Sequence, residues 1–237
     1  MSQQLLIEGF SAFAGAFFAF LFLRLAEFLT KLYQREVKHY NSLVLLGTQL
    51  NEVMGIIHDN LYILPNFMRV IKSGNIYFNN LHILPVDKSH YDNLYNLDLM
   101  NALFSYQYQT RKINDDITTA SNGYSDIKNA LIQKNIGKPD YIVNAELMVT
   151  NLKHIEAFLM ELQDETIELL AKVRIQIIYN KPLSTRIQHF LIGLPNKKIR
   201  KDEIEKEKTK LLKELEETRA QSQKQIEEIL KKYEQAN

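Results

Sequence analysis

The sequence contains no cysteine and no tryptophan, and only eight glycines and five prolines among 237 residues. The lack of cysteine excludes disulfide bonds, thiolate metal sites and cysteine nucleophiles. The 29 basic and 28 acidic side chains nearly cancel to a formal net charge of +1. Since no overall positive field exists to hold phosphates, we expect no nucleic-acid partner.

The sequence also lacks the motifs that carry common enzyme chemistry. No G-x-x-x-x-G-K-[ST], G-x-G-x-x-G, G-x-S-x-G or H-E-x-x-H motif occurs. One Glu-x-x-His pair is present at Glu36 and His39, but a di-iron site in a helix bundle needs two such pairs and two further carboxylates. We therefore predict no catalytic residues, no metal site and no cofactor, and a protein that is not an enzyme.

What the sequence does contain is a long apolar run near its N-terminus. Residues 9–23 carry no charge, and residues 5–7 extend the run to 19 residues interrupted only by Glu8. At about 1.5 Å per residue, a helix of this length nearly matches the roughly 30 Å hydrocarbon core of a bilayer. The residues before the run carry no Lys or Arg, unlike a cleaved signal peptide. We predict a single transmembrane anchor over residues 1–29, with a buried helix of a soluble protein as the alternative.

Basic residues on one side of this run predict its orientation in the membrane. Arg24, Lys31, Arg35 and Lys38 follow the run, and none precedes it. Under the positive-inside rule, the N-terminus is then outside and the C-terminus cytoplasmic.

Small residues recur along the apolar run. Ser11, Gly15 and Ala19 are four residues apart, and Ala12 and Ala16 lie beside them. Such a stripe lets two membrane-spanning helices approach closely, so it predicts a homo-oligomer. The alternative is that small residues are simply common in spans.

After the run, the sequence predicts an all-α fold with a long antiparallel helical bundle over residues 30–200. Apolar spacing of three and four indicates a first helix up to Pro65, and Ser89 with Asp92 resembles a capping box that opens a second. Residues 65–88 are expected to form a loop. Short connections predict that the first helix leaves the membrane, the second returns and the third runs out again.

The third predicted helix, from Pro139 to Lys181, has the most regular pattern. Its apolar positions follow the spacing of a coiled-coil seam: Ile142, Ala145, Met148, Leu152, Ile155, Leu159, Leu162, Thr166, Leu169, Val173 and Ile177. On the second helix, Asn114 and Asp115 are interpreted as part of a solvated face, with a buried pair to Arg111 as the alternative.

Residues 182–201 combine an apolar face with a basic cluster. Alone, the pattern is typical of a helix on a membrane surface, but the predicted topology places it some 50 Å from the bilayer. A distal structural cap is therefore the first interpretation, followed by contact with an unidentified cytosolic protein partner and then by membrane contact. The candidate partner-contact residues are Phe190, Lys197, Lys198, Arg200 and Lys201.

From residue 201 to 237 the composition shifts to Glu, Lys and Gln with a thin apolar stripe. Opposite charges three or four residues apart support a helix. We predict a charged C-terminal helix or coiled-coil tail that is solvated or weakly self-associating.

Together these patterns predict a non-catalytic scaffold or adaptor, anchored in the lipid bilayer, that self-associates and presents its bundle and tail to a cytosolic partner. The alternative is an oligomeric membrane effector or channel-like subunit gated by a cytosolic signal, and an enzyme is a distant third. Ser11 is the only polar residue between Glu8 and Arg24. Because a conducting pore usually needs polar lining or a gateable constriction, the scaffold is favoured.

Overall fold

The computed structural model describes residues 3–73, 81–85, 91–180 and 200–236. Within these ranges every regular element is an α-helix: α1 (Gln3–Ser73), α2 (Leu97–Ile132), α3 (Lys138–Tyr179) and α4 (Lys201–Ala236). The predicted all-α class is confirmed.

Helix α3 lies at the centre of the packing, in contact with α1, α2 and α4. Nine of its eleven predicted seam positions are buried, whereas Ile142 is half exposed and Ile177 is partly buried. Leu152, Leu159 and Leu162 are completely enclosed. Because each such side chain contributes about 1.5–3 kcal/mol on burial, this face of α3 is a main source of cohesion.

Contacts at the two ends of α3 show that α1 runs antiparallel to it. At one end, a side chain on Gly47 would lie 3.5 Å from Val173 and from Ile177. At the other end, the Tyr141 hydroxyl donates to the carbonyl oxygen of Ile71 at 2.8 Å. Ascending residue numbers in α1 thus face descending numbers in α3.

Helix α2 is also antiparallel to α3, so α1 and α2 are parallel. The hydroxyls of Tyr106 and Thr166 lie 2.8 Å apart, and a side chain on Gly123 would lie 3.4 Å from Met148. The predicted order of directions, in which the second helix returns, is therefore wrong. The prediction assumed a short connection, but the chain between α1 and α2 is long enough to travel back along α1, since extended chain covers about 3.3 Å per residue.

Part of that connection, residues 81–85, lies between α1 and α2 and is held by two asparagines. The Asn60 amide donates to the carbonyl oxygen of His82 and accepts from its N–H, both at 2.7 Å. Asn114 makes the same pair of bonds to Leu84, at 2.8 and 2.9 Å. A carboxamide offers one acceptor and two donors, so each satisfies a backbone donor and acceptor together.

This geometry corrects the interpretation of Asn114 as part of a solvated face. Its side chain is partly buried against the connection, whereas Arg111 and Asp115 are exposed. A buried ion pair with Arg111 is not formed. Asn114 instead fixes the backbone between two parallel helices.

Helix α1 continues past Pro65, where the sequence predicts its end. Proline inside a helix costs about 3 kcal/mol through a lost hydrogen bond and a clash with the preceding turn. Leu64, Phe67 and Ile71 are nearly completely buried around it. Because their burial contributes more than the proline costs, the helix runs on to Ser73 and the predicted loop begins later.

Helix α2 begins at Leu97 instead of near Ser89, which lies outside the described residues. Asn96 caps it, since its side-chain oxygen accepts from the backbone N–H of Leu99 at 3.0 Å. Asparagine caps helices as well as serine does. The start of α3 is predicted to within one residue, with Pro139 in its first turn.

Replacing Asn60 with alanine should destabilise the fold by about 2 kcal/mol, because a fully buried amide is lost and two backbone groups of His82 lose their partner. Urea unfolding of detergent-solubilised protein measures the change. Asn129→Ala, at an exposed position of α2, is the control and should shift stability by less than about 0.5 kcal/mol. Equal effects of the two substitutions would contradict the role of Asn60.

Candidate functional site

The N-terminal part of α1 exposes many apolar side chains over residues 10–33, here called the apolar segment, which are interrupted after residue 23 by Arg24, Glu27, Thr30 and Lys31. Phenylalanine and leucine side chains dominate it, and Phe10, Phe13 and Phe22 are each about 70% exposed. None of its most apolar stretch is buried by the rest of the described chain. By length and composition, α1 can cross a membrane near its N-terminus.

The packed assembly begins directly after this segment. His39 is the first buried residue along α1 among the side chains that the structure describes. Tyr95, just before α2, and Asn180, just after α3, lie at the same level as His39. We call this end of the assembly, which adjoins the apolar segment, the proximal end.

Arg35, His39 and Tyr95 form a tightly held group at the proximal end. Arg35 Nε donates to the Tyr95 hydroxyl oxygen at 3.0 Å, and the guanidinium carbon lies 4.5 Å from the centre of the Tyr95 ring. The His39 ring stacks on Tyr95 at 4.5 Å, and its Nδ1 donates to the carbonyl oxygen of Asn93 at 2.7 Å. The tyrosine thus holds both a cation and an imidazole in fixed orientations.

Beside this group lies a cavity of about 220 Å³, here called the proximal cavity. Its walls combine one aliphatic side chain with charged and polar ones: Leu32, Arg35, Glu36, His39, Tyr95 and Asn180.

The proximal end also holds the start of α4, which corrects the predicted distal position of residues 180–200. The Tyr179 hydroxyl lies 3.0 Å from both carboxylate oxygens of Glu203, and the backbone N–H of Arg200 donates to the same carboxylate at 3.2 Å. The last turn of α3 and the first turn of α4 are thus neighbours beside the apolar segment. The error follows from the wrong direction assigned to the second helix.

The predicted partner-contact residues are only partly described. Arg200 and Lys201 are exposed at the start of α4. Phe190, Lys197 and Lys198 lie outside the described residues, so their part in a contact stays a prediction.

The predicted association stripe lies on the apolar segment. Ser11, Gly15, Ala16 and Ala19 are exposed, and the side chain of Ala12 lies outside the described residues. A side chain on Gly15 would meet nothing within 4 Å in the described chain. The stripe is therefore open to a partner helix, and its use stays a prediction.

The first half of α4 packs against α3, which differs from the predicted solvated tail. Leu211 is buried, and Ile204 and Leu215 are partly buried on the same core. A guanidinium nitrogen of Arg174 lies 3.4 Å from Glu207 and 3.3 Å from Glu214. Burial of these apolar side chains contributes most of the contact, and the partly solvated ion pairs add a smaller share.

A second ionic group supports the same contact. Lys172 lies 2.6 Å from the Glu168 carboxylate, and Lys208 of α4 lies 4.0 Å from it. The hydrogen bond from Lys172 and the charges of both lysines lower the pKa of Glu168, outweighing partial burial. Glu168 therefore stays ionised at neutral pH and attracts α4.

The described residues contain no group of three His, Cys, Asp or Glu side chains that could hold a metal ion. Comparison of the chain with protein-family models, curated proteins and solved structures finds no match.

Sequence reasoning missed Tyr95, which organises the proximal end. Its partner Arg35 is 60 positions away, and no local pattern links a tyrosine to an arginine at that distance. Only the parallel placement of α1 and α2 brings them together.

Replacing Arg174 with glutamine should loosen α4, because both ion pairs with Glu207 and Glu214 are lost. We expect a loss of about 1 kcal/mol and faster hydrogen exchange of backbone amides in residues 203–215. Hydrogen-exchange mass spectrometry in detergent measures it. Arg111→Gln, which removes an exposed arginine of α2, is the control and should leave α4 unchanged; faster exchange in both variants would argue against these ion pairs.

Proposed function

We propose that this chain is a non-catalytic, single-pass membrane scaffold or adaptor. One observation carries the proposal: the helix that exposes the apolar segment is the same helix that is buried in the assembly from His39 onward. An uncovered apolar surface of this size needs lipid or protein around it. The assembly would then be rigidly joined to the bilayer and extend about 50 Å from it, at 1.5 Å per residue over residues 39–73.

The basic flank of the apolar segment supports a cytoplasmic assembly. Arg24 and Lys31, near the C-terminal end of the segment, and Arg35 and Lys38, just after it, all lie toward the assembly. Basic residues are retained on the cytoplasmic side during insertion. The packed helices would then form a long antiparallel bundle in the cytosol, with α3 opposed to α1, α2 and α4.

Self-association and partner binding complete the proposal. Two copies would meet through the stripe of Ser11, Ala12, Gly15, Ala16 and Ala19. The charged surface of α4 and the exposed Arg200 and Lys201 would face a cytosolic protein partner. A gated effector or channel-like subunit is the competing proposal, and Ser11, the sole polar residue in residues 9–23, argues against it.

Membrane insertion is tested by charge substitution in the apolar segment. Full-length protein should remain in carbonate-washed membranes, and a reporter fused after Asn237 should be cytoplasmic. Replacing Phe17 and Phe20 with glutamate should release the protein, since a charge near the centre of a span costs about 2.5–3.5 kcal/mol.

The matched control replaces Phe104 and Tyr108 of α2, which are at least as exposed as the phenylalanines, with glutamate. This variant should stay in the membrane. Release of the unmodified protein by carbonate would contradict the anchor, and an extracytoplasmic reporter would contradict the orientation.

Self-association is tested by Gly15→Leu, which fills the stripe and should block close approach of two spans. We expect association to weaken by about 1 kcal/mol. Energy transfer between donor- and acceptor-labelled copies in vesicles should then fall severalfold. Phe18→Leu, an apolar change outside the stripe, is the control. Unchanged energy transfer in Gly15→Leu would show that the stripe is incidental.

A further inference from the structure

We propose that α1 and α2 enclose a single water molecule, which accepts a hydrogen bond from the side-chain amide of Gln107 and donates one to the side-chain oxygen of Gln49. The site goes beyond the proposed function and does not depend on it. It makes water a fixed part of the junction between the helix that carries the apolar segment and the helix that runs parallel to it.

Gln107 supplies the observation that points to a ligand. It lies in α2 and is 5% exposed. Its Nε2 is fully enclosed, and no group in the described chain accepts a hydrogen bond from it. An unpaired donor in a protein interior is costly, and nearly all such groups bond to protein or to ordered water. We therefore expect a ligand with an acceptor atom beside Gln107.

A small cavity lies beside this amide, where α1 and α2 meet the connection. The space open to a water-sized sphere is about 10 Å³, and about 10–15 Å³ is needed for one water molecule. Gln49 of α1 and Thr110 of α2 line it together with Gln107, and Leu46 and Val53 of α1 form an apolar wall. The cavity therefore offers polar partners to one water molecule and has no room for a larger ligand.

Water is the ligand that suits all three polar groups. Thr110 Oγ donates to the carbonyl oxygen of Tyr106 at 2.8 Å, so its lone pairs remain able to accept. A carboxamide oxygen accepts two hydrogen bonds, so that of Gln49 can accept from water in addition to its other contacts. Three bonds are the usual number for a buried water molecule. A cation would instead meet the N–H of Gln107, and an anion would meet the two oxygens.

The register of the two helices explains why polar side chains converge here. Gln107 is seven positions before Asn114, about two turns, and Gln49 is eleven positions before Asn60, about three turns. Each glutamine thus shares a helix face with an asparagine that bonds to the backbone of the connection. At the cavity the connection contributes Pro85, which has no N–H to donate. Water would take at the glutamines the place that backbone takes at the asparagines.

The direct test counts buried water. Relaxation dispersion of the deuterons of heavy water, measured on full-length protein in detergent, detects water molecules that stay inside a protein long enough to tumble with it. Gln107→Met keeps the length of the side chain and removes its amide, so we expect one fewer such molecule. Gln34→Met makes the same change at an exposed position of α1 and should leave the number unchanged. An unmodified protein without long-lived water, or an unchanged number in Gln107→Met, would overturn the proposal.

Stability measurements test whether the two glutamines share this water. In urea unfolding, Gln49→Met and Gln107→Met should each raise the unfolding equilibrium constant about fivefold, since each removes a hydrogen bond to buried water. The double variant should be little worse than either single one, because the water is already lost. Independent effects, which multiply to about 25-fold, would overturn the bridge. Stabilisation by Gln107→Met would show that its amide is unpaired in the folded protein and would overturn the site.

A milder variant keeps the test decisive if Gln107→Met does not fold. Gln49 is only partly buried, so Gln49→Met disturbs the packing less. It should also remove one long-lived water molecule, because water held by α2 alone is no longer fixed between the helices. Retention of that molecule in Gln49→Met would overturn the bridge between α1 and α2.

Discussion

The burial of one face of α3 is the interaction on which the rest of the structure depends. Helices α1, α2 and α4 each contact α3, and Leu152, Leu159 and Leu162 are completely enclosed by them. Without that apolar face, α1, α2 and α4 would lose the helix against which all three pack. Burial also raises the pKa of the Tyr106 hydroxyl, which bonds to Thr166 inside the same interface. Tyr106 and Thr166 are thus polar groups that this interface buries together.

The length of α1 fixes the position of the packed helices relative to the apolar segment. One uninterrupted helix of 71 residues carries both the apolar segment and the surface that packs on α3. A helix without a break does not let the assembly swing freely about a linker. The proximal end, with Arg35, Tyr95 and Asn180, would thus be held at one height above a membrane.

Elements defined by local spacing could be predicted from the sequence, and elements defined by distant contacts could not. The stripe from Ala145 to Val173 repeats every three or four residues, so α3 and its buried face follow from periodicity. The continuation of α1 past Pro65 depends on burial of Phe67 and Ile71, which single-sequence spacing does not reveal. The proximal end was harder to predict than the helices, because its residues come from α1, from the segment before α2 and from the end of α3. One wrong helix direction placed the end of α3 at the wrong end of the assembly.

The register of α1 bears on whether two copies can meet as proposed. Gly15 and Asn51 are 36 positions apart, which is about ten turns of 3.6 residues, so they share one face of the helix. Val44, Asn51 and Gly55 near that face are exposed, but Asn51 and Gly55 line a cavity shared with α4, and Gly47, about 40° away around the helix, packs on α3. Spans packed through Gly15 have axes about 8–10 Å apart or closer. Because α3 and α4 pack beside this face of α1, two helices that meet through Gly15 would have to diverge beyond the span to leave room for the two assemblies.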